Sequence, residues 1–161
     1  MANADKRHLD SCRIGLGFSA GGHLAATGLV TLKGDLKPDF GILVYPVISM
    51  KKNITHQFSR FNLMGKSPSE DTVIKFSTEE QVAEDTPATI LFHCSDDPAV
   101  KPENSIVFYQ ALLRNAVPAE MHVYPKGRHG WGFIEGAPFP YFNEFKTTVL
   151  RWIAEQNNKI L

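Results

Sequence analysis

The sequence predicts an α/β fold: a mainly parallel sheet of about four strands with helices on both faces. Two observations carry this. Short runs that are apolar on both faces alternate along the chain with helix-like stretches, and buried parallel strands joined by crossover helices read in this way. The 161 residues are 43% apolar, which suits one fair-sized core. No repeat or low-complexity tract divides them, so residues 1–161 are read as a single domain.

The first strand is Cys12 to Phe18 (CRIGLGF), followed by an Ala/Leu-rich helix from Leu24 to Leu32. Phe40 to Tyr45 (FGILVY), Thr89 to His93 (TILFH) and Met121 to Tyr124 (MHVY) are apolar runs bounded by Pro, Gly or Asp and read as further strands. Glu103 to Arg114 carries a broad apolar stripe through Ile106, Phe108, Tyr109, Leu112 and Leu113, and Phe142, Phe145, Val149, Trp152 and Ile153 recur at helical spacing near the end. The stretch from Val47 to Pro87 is the least regular and is rich in Lys, Ser and Asn. It holds a helix signal from Ser69 to Phe76 and a second start at Ser77, with Glu80 three residues on. A connection this long either covers a site or is surface loop. Phe58, Phe61 and Met64 within it either line a pocket or pack locally beneath the loop.

Acidic and basic residues balance at 17 each, so no basic field exists to hold nucleic acid or an anionic membrane surface. The polar N-terminus, MANADKRHLD, lacks a signal peptide's apolar segment, and no run is long enough to cross a bilayer. The expected location of this chain is cytoplasmic, with a secreted parent protein as the alternative. Cys12 and Cys94 both fall in apparent buried strands, where free thiols behave as small hydrophobes. Neither cysteines nor histidines show metal-ligand spacing, and the glycines near residue 19 do not follow the dinucleotide pattern. No metal or cofactor is expected.

Residues 15–25, GLGFSAGGHLA, crowd glycines and alanines around Ser19. A serine hydroxyl becomes a useful nucleophile when a sharp strand-to-helix turn projects it toward a base. Such a turn strains the serine backbone and brings strand and helix so close that Gly17 and Gly21 are expected to lack side chains by necessity. The Gly-x-Ser-x-Gly pattern is weak alone, but here an apolar strand leads in and an Ala/Leu helix leads out. The Ala20 amide at the helix N-terminus is then placed to hold an oxyanion.

A nucleophilic serine needs a histidine base oriented by a carboxylate, in the chain order Ser, acid, His. Asp96 and Asp97 follow the TILFH strand, at the strand end where sites form in parallel sheets. His129 lies in a glycine-flanked loop after the last strand. His8, His56, His93 and His122 sit in the leader, the irregular loop and two strands, and His23 just after the turn reads as structural.

GFSAGGHLA, SDDPAV with ENS, VPAEMHVYPKGRHGWGF and FGILVYPVISM together resemble the α/β-hydrolase esterases related to acetylxylan esterase and dienelactone hydrolase. The resemblance runs over almost the whole chain. It implies Ser19 as nucleophile, His129 as base and an Asp after TILFH as orienting acid. The family's spacing before Val100 favours Asp97, with Asp96 a solvated neighbour or a loop cap. Lys101 stands where the family often has Pro, and Arg128 where it often has Gly.

In α/β-hydrolases the nucleophile follows the fifth strand, whereas Ser19 follows about one strand's worth of residues. The first half of the fold, with the loop that gives the second oxyanion amide, is therefore expected to be absent. Loss of one such donor costs about 3–4 kcal/mol of transition-state stabilisation. The edge of the Cys12–Phe18 strand then lacks a neighbour, and a homodimer or higher assembly that buries that edge and the uncovered faces is expected, with an oxyanion donor restored in trans. The leading expectation is a serine esterase that removes short acyl groups, acetyl foremost, from a carbohydrate or similar alcohol. A catalytically impaired interaction module is the alternative from another class. A peptidase of the prolyl oligopeptidase kind ranks third.

Overall fold

The computed structural model describes residues 12–134 and 139–160. In chain order it contains β1 (Ile14–Phe18), α1 (Ser19–Thr31), β2 (Phe40–Val44), α2 (Gln57–Met64), α3 (Glu70–Phe76), β3 (Thr89–Cys94), α4 (Glu103–Arg114), β4 (Ala119–Tyr124) and α5 (Phe142–Ile160). Short 3-10 turns at Gly34–Leu36 and Thr78–Glu80 complete the elements. The four strands form one sheet in the order β1-β2-β3-β4, every pair parallel. Leu16 pairs with Ile42, Ile42 with Ile90, and Ile90 with Glu120. Among the described residues, β1 is an edge strand.

Side-chain alternation along the two central strands builds a core on each face. Phe40, Ile42, Val44, Ile90, Phe92 and Cys94 pack with Trp131 and with Phe145, Val149 and Trp152 of α5. Leu43 and Leu91 point the other way, onto Ala26, Leu29 and Val30 of α1 and Phe108 and Leu112 of α4. β2 and β3 are buried throughout, which explains why their sequences are apolar on both faces. Complete burial of a side chain such as Phe92 contributes about 1.5–3 kcal/mol, so these two strands anchor the sheet.

The differences from the expected elements have local causes. β1 begins at Ile14, and Cys12 lies ahead of it, half-buried rather than inside a buried strand. Both cysteines are free thiols, and burial pushes the Cys94 thiol up to about 12. β2 stops at Val44 because Tyr45 takes φ +38°, turning the chain across the sheet's C-terminal edge. The 47–87 connection contains α2, which no capping residue announces: its N-cap is His56, with no side-chain capping bond. Ser69 does cap α3, its Oγ accepting from the Thr72 amide at 3.2 Å. Ser77 starts only a 3-10 turn, because its hydroxyl accepts from the Met50 amide 27 residues away. His8 and the rest of residues 1–11 lie outside the described residues. No described helix is long and apolar enough to cross a membrane.

Candidate active site

The C-terminal ends of the four parallel strands carry the residues of interest: Ser19 after β1, Tyr45 after β2, Asp97 after β3 and His129 after β4. This is the end where α/β sheets bind ligands.

Phe18 is extended, and Ser19, the first residue of α1, takes φ +52°. A left-handed conformation in a non-glycine residue costs about 1–3 kcal/mol and persists only where its surroundings enforce it. The Ser19 carbonyl accepts from the Val47 amide at 3.0 Å. A Cβ on Gly17 would overlap the Gly21 carbonyl oxygen and lie 2.8 Å from Ala25 Cβ, and one on Gly22 would lie 2.7 Å from Pro46 Cβ. Gly21 is different: a Cβ there meets nothing within 4 Å. The tight approach is therefore at Gly17 and Gly22, and the expectation for Gly21 is corrected. No side chain caps α1 and its first turn holds no acidic residue, so the amides around exposed Ala20 are free to meet an anion.

His129 sits in a loop of left-handed residues: Arg128 at φ +57° and Gly130 at φ +85°. Position 128 thus has the backbone geometry that favours glycine, and arginine occupies it here. The Arg128 amide donates to Asp96 Oδ1 at 2.8 Å, so Asp96 is the cap that holds the histidine loop. Lys101 reaches across to the Asn53 carbonyl at 2.9 Å.

The structure brings Ser19, His129 and Asp97 into one hydrogen-bonded chain. His129 Nε2 lies 2.8 Å from Ser19 Oγ, and Nδ1 lies 2.6 Å from Asp97 Oδ2. Because Nδ1 faces a carboxylate it carries the ring hydrogen, which leaves Nε2 to accept from the serine hydroxyl. Tyr45 packs its ring on the imidazole at 4.6 Å. Asp97 has no exposed side-chain surface. Burial alone raises a carboxyl's proton affinity, yet hydrogen bonds from His129 and His93 and from the Val100 and Ala99 amides outweigh it and hold Asp97 well below the usual carboxylate range. Those two amides donate to Oδ1, each at 2.9 Å.

The other histidines have separate partners. His23 Nε2 donates to the Phe76 carbonyl at 2.8 Å, tying α1 to α3, and burial lowers its pKa. His56 bonds Ser59, and His122 bonds Glu120. His93, buried in β3, lies beside Asp97. Its sequence position carries no sign of this, because nothing in a strand's alternation distinguishes a polar side chain that has found partners from one that has not. In the ENS segment, Asn104 Oδ1 accepts from the Ile48 and Ser49 amides, each at 3.0 Å, pinning the start of the long connection.

Beside Ala20 lies a cavity of about 340 Å³ lined by Ala20, His23, Met50, Phe58, Ser59, Asn62 and Leu63. Phe58 lines it, Phe61 stays on the surface, and Met64 packs against Val47, Met50 and Val100. Among the described residues no group of three His, Cys, Asp or Glu side chains is placed to hold a metal ion.

Residues 2–158 match the prolyl oligopeptidase family. The chain is 33% identical over 142 residues to an acetylxylan esterase of Xylanibacter ruminicola, covering 86% of this chain and 29% of that protein. It is 34% identical over 141 residues to endo-1,4-beta-xylanase B of Butyrivibrio fibrisolvens, covering 80% of this chain and 22% of that protein. Among solved structures, the acetyl ester-xyloside bifunctional hydrolase of Caldicellulosiruptor lactoaceticus superimposes with a TM-score of 0.78 at 36% identity, over 87% of this chain and 55% of that one. The chain thus spans about half of the solved relative and less than a third of the curated ones. With four parallel strands, a strained serine turn at the end of the first and this match along nearly its whole length, the chain belongs to the prolyl oligopeptidase family and carries part of an α/β-hydrolase fold.

Proposed function

We propose that this chain is a serine esterase that removes short acyl groups, acetyl foremost, from carbohydrate alcohols. The observation that carries the reading is the Ser19–His129–Asp97 hydrogen-bonded chain. Ser19 Oγ attacks the acyl carbonyl carbon while its proton passes to His129 Nε2. The C–O bond to the alcohol then breaks, the alcohol leaves with that proton, and an acyl-serine remains. Water attacks the acyl carbon, giving its proton to His129. The Ser19–acyl bond breaks, the serine recovers the proton and the carboxylic acid departs. Asp97 holds the Nδ1 hydrogen and balances the charge of the transient imidazolium, and the Ala20 amide receives the oxyanion.

The names of the similar proteins, an acetylxylan esterase and an acetyl ester-xyloside hydrolase, support acetyl and sugar as the two halves of the substrate. So does the cavity beside Ala20, whose lining has no Lys, Arg, Asp or Glu and therefore suits an uncharged group. Phe58 offers an aromatic face that is 68% exposed, and Asn62 an amide able to bond a sugar hydroxyl.

The test is hydrolysis of p-nitrophenyl acetate, of an acetylated xylo-oligosaccharide and of a prolyl peptide anilide by the wild type and by Ser19→Ala. Loss of both ester activities in the variant is expected. Equal rates in the two proteins overturn the reading and favour a non-catalytic interaction module. The family's name favours a second reading, a peptidase, and anilide cleavage faster than ester cleavage would establish it in place of the esterase.

A further inference from the structure

We propose that His93, backed by Ser105, is a positioning residue that fixes the Asp97 carboxylate in the orientation His129 requires. The proposal rests on the Ser19–His129–Asp97 reading above. His93 is the penultimate residue of β3, and it and Ser105, in the first turn of α4, are both fully buried. Its Nε2 lies 2.9 Å from the Val100 carbonyl and 3.3 Å from Asp97 Oδ2. Both neighbours are acceptors, so this nitrogen carries a hydrogen, which it gives to the Val100 carbonyl while Asp97 Oδ2 stands at its flank. On the other side, Nδ1 lies 2.8 Å from Ser105 Oγ.

The ring closes a loop of contacts around the acid. Asp97 Oδ1 takes the Ala99 and Val100 amides, the Val100 carbonyl takes His93, and His93 reaches Asp97 Oδ2. Rotation of the carboxylate about its Cβ–Cγ bond would break at least two of these contacts at once. Oδ2 is therefore left with one free direction, along which His129 Nδ1 lies at 2.6 Å. The N–H edge of His93 at 3.3 Å from Oδ2 also favours the anionic carboxylate while His129 gains and returns a proton. Five groups in contact, Ser105, His93 and Asp97 buried and His129 and Ser19 half-buried, join α4 and three strand ends to the nucleophile.

The test uses His93→Leu, which removes both ring nitrogens, and His93→Gln, whose side-chain amide can still donate toward Asp97. Residues that orient the ligands of a metal site from behind are worth about 10–100-fold in activity, and the same scale is taken for His93 behind Asp97. His93→Leu is expected to lower kcat on p-nitrophenyl acetate by that factor with KM unchanged, and His93→Gln to recover most of it. In an Asp97→Asn background the His93→Leu loss should vanish, because the residue acts through Asp97. The far-downfield proton resonance of the His129 Nδ1–H, assigned by its disappearance in His129→Gln, should move upfield in His93→Leu. If His93→Leu does not fold, Ser105→Ala is expected to move the same resonance in the same direction by less. An additive loss in the Asp97→Asn background, equal loss in the Leu and Gln variants, or an unmoved resonance overturns the proposal. Undiminished ester hydrolysis by Ser19→Ala would instead sink the esterase reading, and the resonance would still report whether His93 orients Asp97.

Discussion

Asp97 carries its charge with no exposed side-chain surface, held by four donors from His129, His93 and two amides. Because those donors depress its proton affinity in the folded chain, its linkage to stability has a definite sign. In the unfolded chain an Asp takes up its proton near pH 4. The native carboxylate resists protonation until lower pH, so its contribution is fully present above about pH 5 and is lost progressively as the pH falls below about 4. Urea unfolding of wild type and Asp97→Asn across pH 3–7 should therefore show a constant stability gap near neutrality that narrows in acid. An unchanged gap at pH 3 would contradict it. Arg128, by contrast, adopts a left-handed backbone at φ +57° and is tethered through its amide rather than its side chain.

At the level of elements, the β1–α1 junction depends on two close approaches. Gly17 faces the Gly21 carbonyl and Ala25, and Gly22 faces Pro46. Gly17→Ala should lower stability by about 2–4 kcal/mol, since backbone rather than a movable side chain stands in the way. Gly21→Ala should raise stability by about 0.5–1 kcal/mol, because the site is open and glycine inside a helix is costly. Thermal or chemical unfolding of the two variants checks the contrast, and a destabilising Gly21→Ala would show that the junction is tighter than these contacts indicate. The first turn of α1 gains from the same geometry: the turn that strains Ser19 also leaves the helix amides facing outward, uncapped by side chains.

Over the whole molecule, the sheet is covered on both faces along β2 and β3 but thins toward β1. Ile14 and Leu16 are 41% and 47% exposed, and β1 is paired on one side only among the described residues. Unpaired strand groups beside exposed apolar side chains favour pairing with another strand, and two copies of one edge can complement each other about a twofold axis. Light scattering is expected to give the mass of two copies, and Leu16→Lys to return it to one. A wild-type monomer at every concentration tested would rule this out. The sequence by itself determined the α/β class, the strand–serine–helix turn and the order in which serine, acid and histidine occur, because periodicity, glycine spacing and chain order are local properties. Helix α2 escaped it, being eight residues long with no capping side chain. Only the tertiary structure decided that Asp97 faces His129 while Asp96 holds the loop, that Gly22 and not Gly21 is crowded, and that a strand histidine lies against the acid. The physical reason is that each of these depends on groups from segments far apart in the chain meeting in space, and no periodicity or spacing within one segment encodes which partner arrives.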